Sequence, residues 1–576
     1  MRVADYIAKF LVRHGVRDIF VLTGHGAMYL NDAITLQPEL KYYCARNEAA
    51  APMMAEAYAR VKKSLGAVCL TSGPGSTNAI PGLAEAWVDS APVLIISGQV
   101  QRSHTTYAVG LPGLRTFGTA EINIVPVVRS ITKYAEMVTE PESIRYHLEK
   151  AYYLATSGRP GPVWLDIPMD VQFAEVEEEK LEPFVPPAQA WDSTDLDAGV
   201  EEVAKLLLSA KRPLLVGGHG VRLAGAVPEF RALSEKLKIP FILSRFAQDM
   251  LPYSHPCNMG QAGIKGVRFC AAVMKSADLV LSLGCRMAVQ LAGHRFDAFA
   301  PDAKVVMVDI EKDELKKPGV PLHRAVHADV KPFLKKLLDR LSASHALPQE
   351  EKWLEDCQKL KLEHPMIKPE MKRNPIDLYY FMSRLDALSG PRHIFTTDAG
   401  SNYYVGGQVY HFEEGQREIT SGTFAAMGLS IPLAIGSAIA APDSQILGVT
   451  GDGSLELNIQ ELKTISYYQL NIKLFVINNG GYLSMRNWQD GFFEGRRIGS
   501  DDETGAESLD LKKVAEAFGL EYAQISRAED IDSQLKKMMS ERGPLFVEVL
   551  CDTRQKIIEP IKDFSVKIEK ASSACP

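Results

Sequence analysis

The sequence predicts an α/β fold of three doubly wound parallel-sheet domains joined by two polar linkers. Three observations carry this. Strand-like and helix-like segments alternate along the whole chain, the pattern of parallel sheets covered by helices. The apolar strand runs fall into three groups of similar size. At 576 residues the chain is too long for one core, and about 150 residues per domain gives three or four.

The first group of strands is DIFVL, GAVCLTS, PVLIISG and PVWLDIP. The second is RPLLVGG, IPFILS, DLVLSLG and KVVMVDI, and the third is HIFTTDAG, QILGVTGDG, IKLFVINN and LFVEVL. Pro- and Glu-rich stretches at 173–193 and 344–374 separate them and read as linkers, the second partly helical. Domains are therefore expected at 1–175, 194–343 and 375–552, followed by a tail at 553–576. The first and last thirds look like variations on one plan.

A formal charge of −7 with pI near 6.1 leaves no footprint for nucleic acid. No apolar run reaches the roughly 18 residues that cross a bilayer. The N-terminal MRVADYIAKFLVRHGV is amphipathic at helical spacing and lacks the features of a signal peptide. The expectation is a cytoplasmic protein without a membrane partner. Eight scattered cysteines, none in CxxC spacing, read as buried free thiols.

The chemistry concentrates at residues 451–482, GDGSLELNIQELKTISYYQLNIKLFVINNGGY. Asp452 ends an apolar strand, where open parallel sheets bind ligands. Gly453 and Ser454 open a segment of helical spacing, whose N-terminus suits phosphate. Asn479 ends the next strand. One carboxylate, one amide oxygen and backbone carbonyls make an oxygen-only site for Mg²⁺ or Ca²⁺ completed by phosphate. Either segment alone reads equally well as a plain turn. Joined in one strand–helix–strand unit, they read as binding loops.

GDGS at 451–454 followed by NN at 478–479 resembles the thiamine diphosphate (ThDP) motif. The whole chain resembles the acetolactate synthase-like branch of ThDP-dependent enzymes, in the pyruvate decarboxylase/acetohydroxyacid synthase family. That resemblance implies a pyrimidine-binding domain, a central Rossmann-like domain and a diphosphate-binding domain. It implies Mg²⁺ ligands from Asp452, Asn479 and the Gly481 carbonyl. It also implies diphosphate contacts from Gly451, Gly453, Ser454, Tyr482 and Leu483.

The family activates the cofactor with a glutamate that hydrogen-bonds the pyrimidine N1′ from an apolar setting. Glu48, which follows a strand-like YYCA and is expected to begin an Ala- and Met-rich helix, matches it, with GPGSTN (Gly73 to Asn78) after the next strand. Taken alone, Glu48 reads as a carboxylate at a helix N-terminus. Asn47 stands where the family commonly has His. In GTFAAMG, the resemblance puts Met427 under the bent cofactor and the Ala425 carbonyl at its 4′-amino group; the other reading of Met427 is a core residue. Asn402, in GSNYY, fits another cofactor-side loop. The two halves of the site come from different subunits in the family. A homodimer or homotetramer with the active site at the subunit interface is therefore expected.

The resemblance implies decarboxylation of pyruvate or a related 2-keto acid and transfer of the acyl anion to an aldehyde or ketone. Trp488 and Gln489 resemble the WQ of acetolactate synthases, but two positions depart. Ala120 replaces the Gln of an FQE-like loop. Gln290 replaces an Arg that holds the acceptor's carboxylate, and a neutral amide cannot form the bidentate guanidinium pair. The acceptor is thus expected to be other than a 2-keto acid, for instance sugar-like. Acetolactate synthesis proper, a simple decarboxylase or C–C lyase, and a non-catalytic regulatory subunit are the alternatives. His25, in LTGHGAM, is a proton shuttle or a plain loop histidine; His104 and Glu121 stand on the same wall. Glycine turns at 217–220, 259–263 and 284, with Arg286, match strand ends that hold FAD in acetolactate synthases. The same fold also occurs with no nucleotide bound, and both readings stay open.

Overall fold

The computed structural model describes residues 1–187, 193–342 and 351–560. Three six-stranded sheets run through it, and every strand pairing in them is parallel. The first holds β1 (Asp18–Val21), β2 (Lys41–Cys44), β3 (Gly66–Leu70), β4 (Val93–Gln99), β5 (Tyr134–Met137) and β6 (Val163–Pro168), in the order β2-β1-β3-β4-β6-β5. The second holds β7 (Pro213–Gly217), β8 (Phe241–Leu243), β9 (Asn258–Gln261), β10 (Leu279–Leu283), β11 (Lys304–Asp309) and β12 (Arg324–His327), in the order β12-β11-β10-β7-β8-β9. The third holds β13 (His393–Thr397), β14 (Arg417–Ile419), β15 (Gln445–Gly451), β16 (Ile472–Asn478), β17 (Tyr522–Ile525) and β18 (Leu545–Leu550), in the order β14-β13-β15-β16-β18-β17.

The first and third sheets share one order, strand for strand. The second has the doubly wound order of dinucleotide-binding folds, with its switch point between β7 and β10. Interior strands such as β3, β4, β6, β7 and β10 are buried from end to end, because helices cover both faces.

The described residues form two compact units. One comprises 1–187, 372–403 and 415–555, and carries the first and third sheets. The other comprises 193–342, 351–371, 404–414 and 556–560, and carries the second sheet.

Inside the first unit, helix Ala50–Lys62 packs on helix Ser430–Ala440, and one apolar core spans both sheets. The contact is tight: a Cβ on Gly436 would lie 2.1 Å from the Met54 carbonyl oxygen. Arg60, near the end of the first helix, donates to the carbonyl of Thr420, ten residues ahead of the second, at 2.7 Å, and the Arg46 amide, ahead of the first helix, donates to Glu461 Oε1, beyond the second, at 2.8 Å. The two helices therefore run antiparallel.

Two sequence expectations need correction. The segment after Gly453 is not one helix. Helix Asp452–Leu455 passes into a 3-10 turn, Glu456–Glu461, then into helix Leu462–Tyr467. Asn458 breaks it, at φ −136°, because its side-chain amide donates to the Gly428 carbonyl at 3.1 Å. Glu48 does not begin a helix either; it lies in a turn before Ala50. Seven cysteines, from Cys44 to Cys551, are free thiols, while Cys575 and tail residues 561–576 lie outside the described residues. Among the described residues no helix is long and apolar enough to cross a membrane.

Candidate active site

The carboxyl ends of β15 and β16 carry the first cluster. Asp452 is 2 % exposed. Its Oδ1 accepts from the Gly453 amide at 3.0 Å. Its Oδ2 accepts from the Gly481 amide and the Ser508 hydroxyl, both at 2.8 Å. Burial pushes its pKa up, and these donors pull it back. One carboxylate thus ties together the GDG and NNGG loops. Gly480 and Gly481 sit at φ +73° and +96°, where side chains are disfavoured. A Cβ on Gly453 would lie 2.5 Å from the Tyr482 ring.

Two oxygens here lack partners among the described residues: Oδ1 of Asn402, a residue 2 % exposed, and Oγ of Ser484, just inside helix Leu483–Phe493. A Cβ on Gly451 would come 3.4 Å from the Asn402 amide nitrogen, so Asn402 faces the Asp452 turn. Buried polar atoms without partners cost free energy, and a polar ligand would satisfy them. A diphosphate–metal group fits this donor set. No cluster of three or more His, Cys, Asp or Glu suited to a metal occurs among the described residues. A cation at Asp452, Asn479 and Gly481 would therefore complete its shell from phosphate and water.

Ala425 and Met427 belong to the same side. A Cβ on Gly428 would lie 2.9 Å from the Ser454 carbonyl oxygen. Ala425 adopts φ +53°, rare for a residue with a Cβ, and its amide donates to Ser421 Oγ at 2.8 Å. Met427 is 37 % exposed in the single chain. Beneath, Asp398 takes the Thr450 hydroxyl at 2.5 Å, and burial pushes its pKa up to about 6.

The second cluster lies at the carboxyl ends of β1, β2 and β3. Glu48 is half-buried, and its Oε2 accepts from the Asn78 side chain at 2.7 Å. Asn78 therefore orients the glutamate. Gly73, at φ +61°, could not carry a side chain, because its Cβ would meet the Ala120 carbonyl oxygen at 2.2 Å. Ala120 thus lies directly on the GPGSTN loop. The His25 loop is fixed beside it: the Gly26 amide donates to Thr71 Oγ1 at 3.0 Å, and Gln172 donates to the Gly26 carbonyl at 2.6 Å. His25 itself is exposed. Glu121 is spent on its own loop, accepting from Thr106 N at 3.0 Å, Thr106 Oγ1 at 2.7 Å and Phe117 N at 3.1 Å.

The chain does not bring its two clusters together. Along the antiparallel helices, Glu48 lies before Met54 while Met427 lies before Gly436, at opposite ends of the pair. At 1.5 Å per residue the separation is on the order of 20 Å. Trp488 is 57 % exposed and meets Phe492 edge-on. Gln489 is instead a brace, donating to the Ile498 carbonyl at 3.1 Å and accepting from the Ser500 hydroxyl at 2.8 Å.

In the second unit the glycine turns at the switch point pack on each other. A Cβ on Gly218 would meet the Gly284 carbonyl oxygen at 2.1 Å. Arg286 is half-buried, and its carbonyl accepts from Lys317. Sequence reasoning missed Ser508 and Arg486; a lone serine in AESLDL and an arginine in SMRNW carry no motif.

Family models match in three stretches: thiamine pyrophosphate enzyme, N-terminal TPP binding domain, over residues 1–134; central domain, over 200–337; and C-terminal TPP binding domain, over 398–549. With the Asp452 and Glu48 clusters, these define a thiamine diphosphate-dependent enzyme. The chain is 33% identical to the acetolactate synthase isozyme 1 large subunit of Escherichia coli K12, across 96% of this chain and 94% of that protein. It is 30% identical to the acetolactate synthase large subunit of Cyanidium caldarium, across 95% and 93%, and 31% identical to the probable acetolactate synthase large subunit of Methanocaldococcus jannaschii, across 96% and 92%. It belongs to the acetolactate synthase-like family of ThDP-dependent carboligases.

Proposed function

We propose that the protein decarboxylates pyruvate or a related 2-keto acid and joins the acyl unit to an aldehyde or ketone that lacks a carboxylate. Gln290 carries this reading, since it cannot make the bidentate pair through which guanidinium holds a carboxylate. Ala120, lying on the Gly73 loop, presents a smaller side chain than the Gln it replaces. A sugar-like carbonyl suits such a wall.

Bound thiamine diphosphate supplies the nucleophilic carbon and the electron sink for loss of carbon dioxide. Glu48, oriented by Asn78, holds a proton at the pyrimidine N1′. Asp452, the Asn479 amide and the Gly481 carbonyl hold Mg²⁺. Gly451, Gly453, Ser454, Tyr482 and Leu483 line the diphosphate. Met427 and Ala425 seat the pyrimidine, and Asn402 closes the turn. Trp488 and His25 face substrate, with His25 moving protons at the reacting oxygen.

Incubation with ThDP, Mg²⁺ and pyruvate, with and without candidate ketones and aldehydes, tests this by product mass. Acetolactate as the sole efficient product would remove the acceptor argument. That outcome is the second reading, acetolactate synthesis proper, and the retained Trp488–Gln489 pair favours it. An FAD site in the central domain, with Arg286 beside it, rests on the strand order there. A flavin spectrum of the purified protein decides it.

The separation of Glu48 from Met427 within one chain supports a homodimer or homotetramer that completes each site across a subunit interface. Co-expressed E48Q and D452N chains should then regain turnover that neither has alone, because one site per mixed dimer keeps both residues. No recovery would assign the site to a single chain.

A further inference from the structure

We propose that Arg486 is a positioning residue that decides which atoms of the 479–481 loop face a metal–diphosphate group. The inference rests on the ThDP reading of that loop. Arg486 is 5 % exposed, and no carboxylate makes an ion-pair contact with it among the described residues; Asp452, Asp501 and Asp490 act on it only from farther off. Burial of a guanidinium without an anionic partner is costly. Its partners are instead four backbone carbonyls: Asn479 at 2.6 Å, Ser500 at 2.8 Å, Thr553 at 3.2 Å and Gly480.

The consequence is selective. Of the three carbonyls at 479–481, those of Asn479 and Gly480 are turned back onto Arg486. Among the described residues the Gly481 carbonyl takes the Leu483 amide alone, at 3.2 Å, which leaves it a second lone pair. Gly480 and Gly481, both at positive φ, let the chain reverse between these orientations. The same guanidinium staples the 500–508 segment. The Ser500 carbonyl also accepts from the Tyr482 amide at 2.9 Å, and the segment ends in Ser508, whose hydroxyl reaches Asp452 at 2.8 Å. Arg486 thus fixes the carbonyl pattern of one metal loop and the hydroxyl that steadies the other ligand. Lysine has the charge but not the planar fork of five donors.

The test is binding rather than turnover. Apoprotein of wild type, R486K, R486M and S508A is titrated with Mg²⁺ at saturating ThDP, then with Mn²⁺ and Ca²⁺. R486K is expected to keep its far-ultraviolet circular dichroism and lose roughly 10–100-fold in Mg²⁺ affinity, the range for groups that orient metal ligands. Its preference among the three cations should also shift, which general destabilisation would not produce. S508A should show a smaller loss of the same kind. If R486M does not fold, R486K decides. Folded R486K with wild-type affinity and cation preference overturns the proposal. A wild type that binds neither ThDP nor Mg²⁺ overturns the cofactor reading instead, so the two failures are distinguishable.

Discussion

The first and third sheets are the same frame used twice. In each, the chain leaves an edge strand, β2 or β14, enters a loop, and then forms a long buried helix, Ala50–Lys62 or Ser430–Ala440. In the first sheet that loop carries Glu48; in the third it carries Ala425 and Met427. The central strands differ in the same way, β3 leading to Gly73 and β15 to Asp452. The contrast between the two carboxylates is physical. Glu48 is half-buried and accepts one side-chain hydrogen bond, from Asn78. Asp452 is buried and held by three donors. A group that handles a proton needs free acceptor capacity, whereas a metal ligand needs to be immobile. One scaffold supplies both settings through different loops at its carboxyl edge.

The largest expected effect breaks the first half alone. Glu48→Gln should lower carbon dioxide release from pyruvate by about 10²–10⁴-fold, the usual worth of a positioned acid or base, while ThDP still binds. Unchanged turnover would remove Glu48 from the mechanism. Asp452→Asn should break the second half in the opposite sense. ThDP and Mg²⁺ affinity should fall by at least roughly 10–100-fold by calorimetry, and turnover with it. Chelation of the wild type should give the same state, reversed by added Mg²⁺. If Asp452→Asn binds both normally, the two carboxylates do not divide the work. Gly453→Ala is smaller: its Cβ would press on the Tyr482 ring at 2.5 Å, an overpacking worth ~1–3 kcal/mol, visible as a lower melting temperature.

The legible part of the fold was the interior of each sheet. The four interior strands of all three sheets read from sequence, because burial on both faces demands an unbroken apolar run. Edge strands β5, β9, β12, β14 and β17 escaped; YAEM, NMGQ, RAVH, REI and YAQI mix polar and apolar residues. Four of these five are only partly buried. Asp452 and Asn479 could be singled out from sequence because glycines flank them in a fixed order. Ser508 and Arg486 could not be, because neither AESLDL nor SMRNW carries a motif and their contacts with the two loops form only in the folded chain. The break at Asn458 was hidden for a similar reason: it depends on a distant carbonyl, that of Gly428.

The smallest expected effect concerns where the two frames meet inside the chain. Glu56, Glu85 and Asp89 are all buried there, with Arg60 3.0 Å from Glu56. Asp89 accepts from the Gly422 amide at 2.8 Å and 3.0 Å, and Ser421 and the Ala426 amide face Glu85. Burial, then the neighbouring acids, push the Glu56 and Glu85 pKa values above their ordinary 4.5, with Arg60 opposing this at Glu56. The folded chain therefore holds protons that the unfolded chain releases. Stability from this source is full below about pH 4.5 and is lost as pH rises through the raised values. Glu85→Gln keeps the shape and removes one titration. Its melting temperature relative to wild type should rise between about pH 5 and about pH 9, by ~1 °C for each kcal/mol recovered in a chain of this length. The same offset at both pH values would mean that Glu85 does not hold a proton at this junction. Because Ser421 and Ala426 flank Ala425, a positive result would also tie packing of the two frames to the loop proposed to seat the pyrimidine.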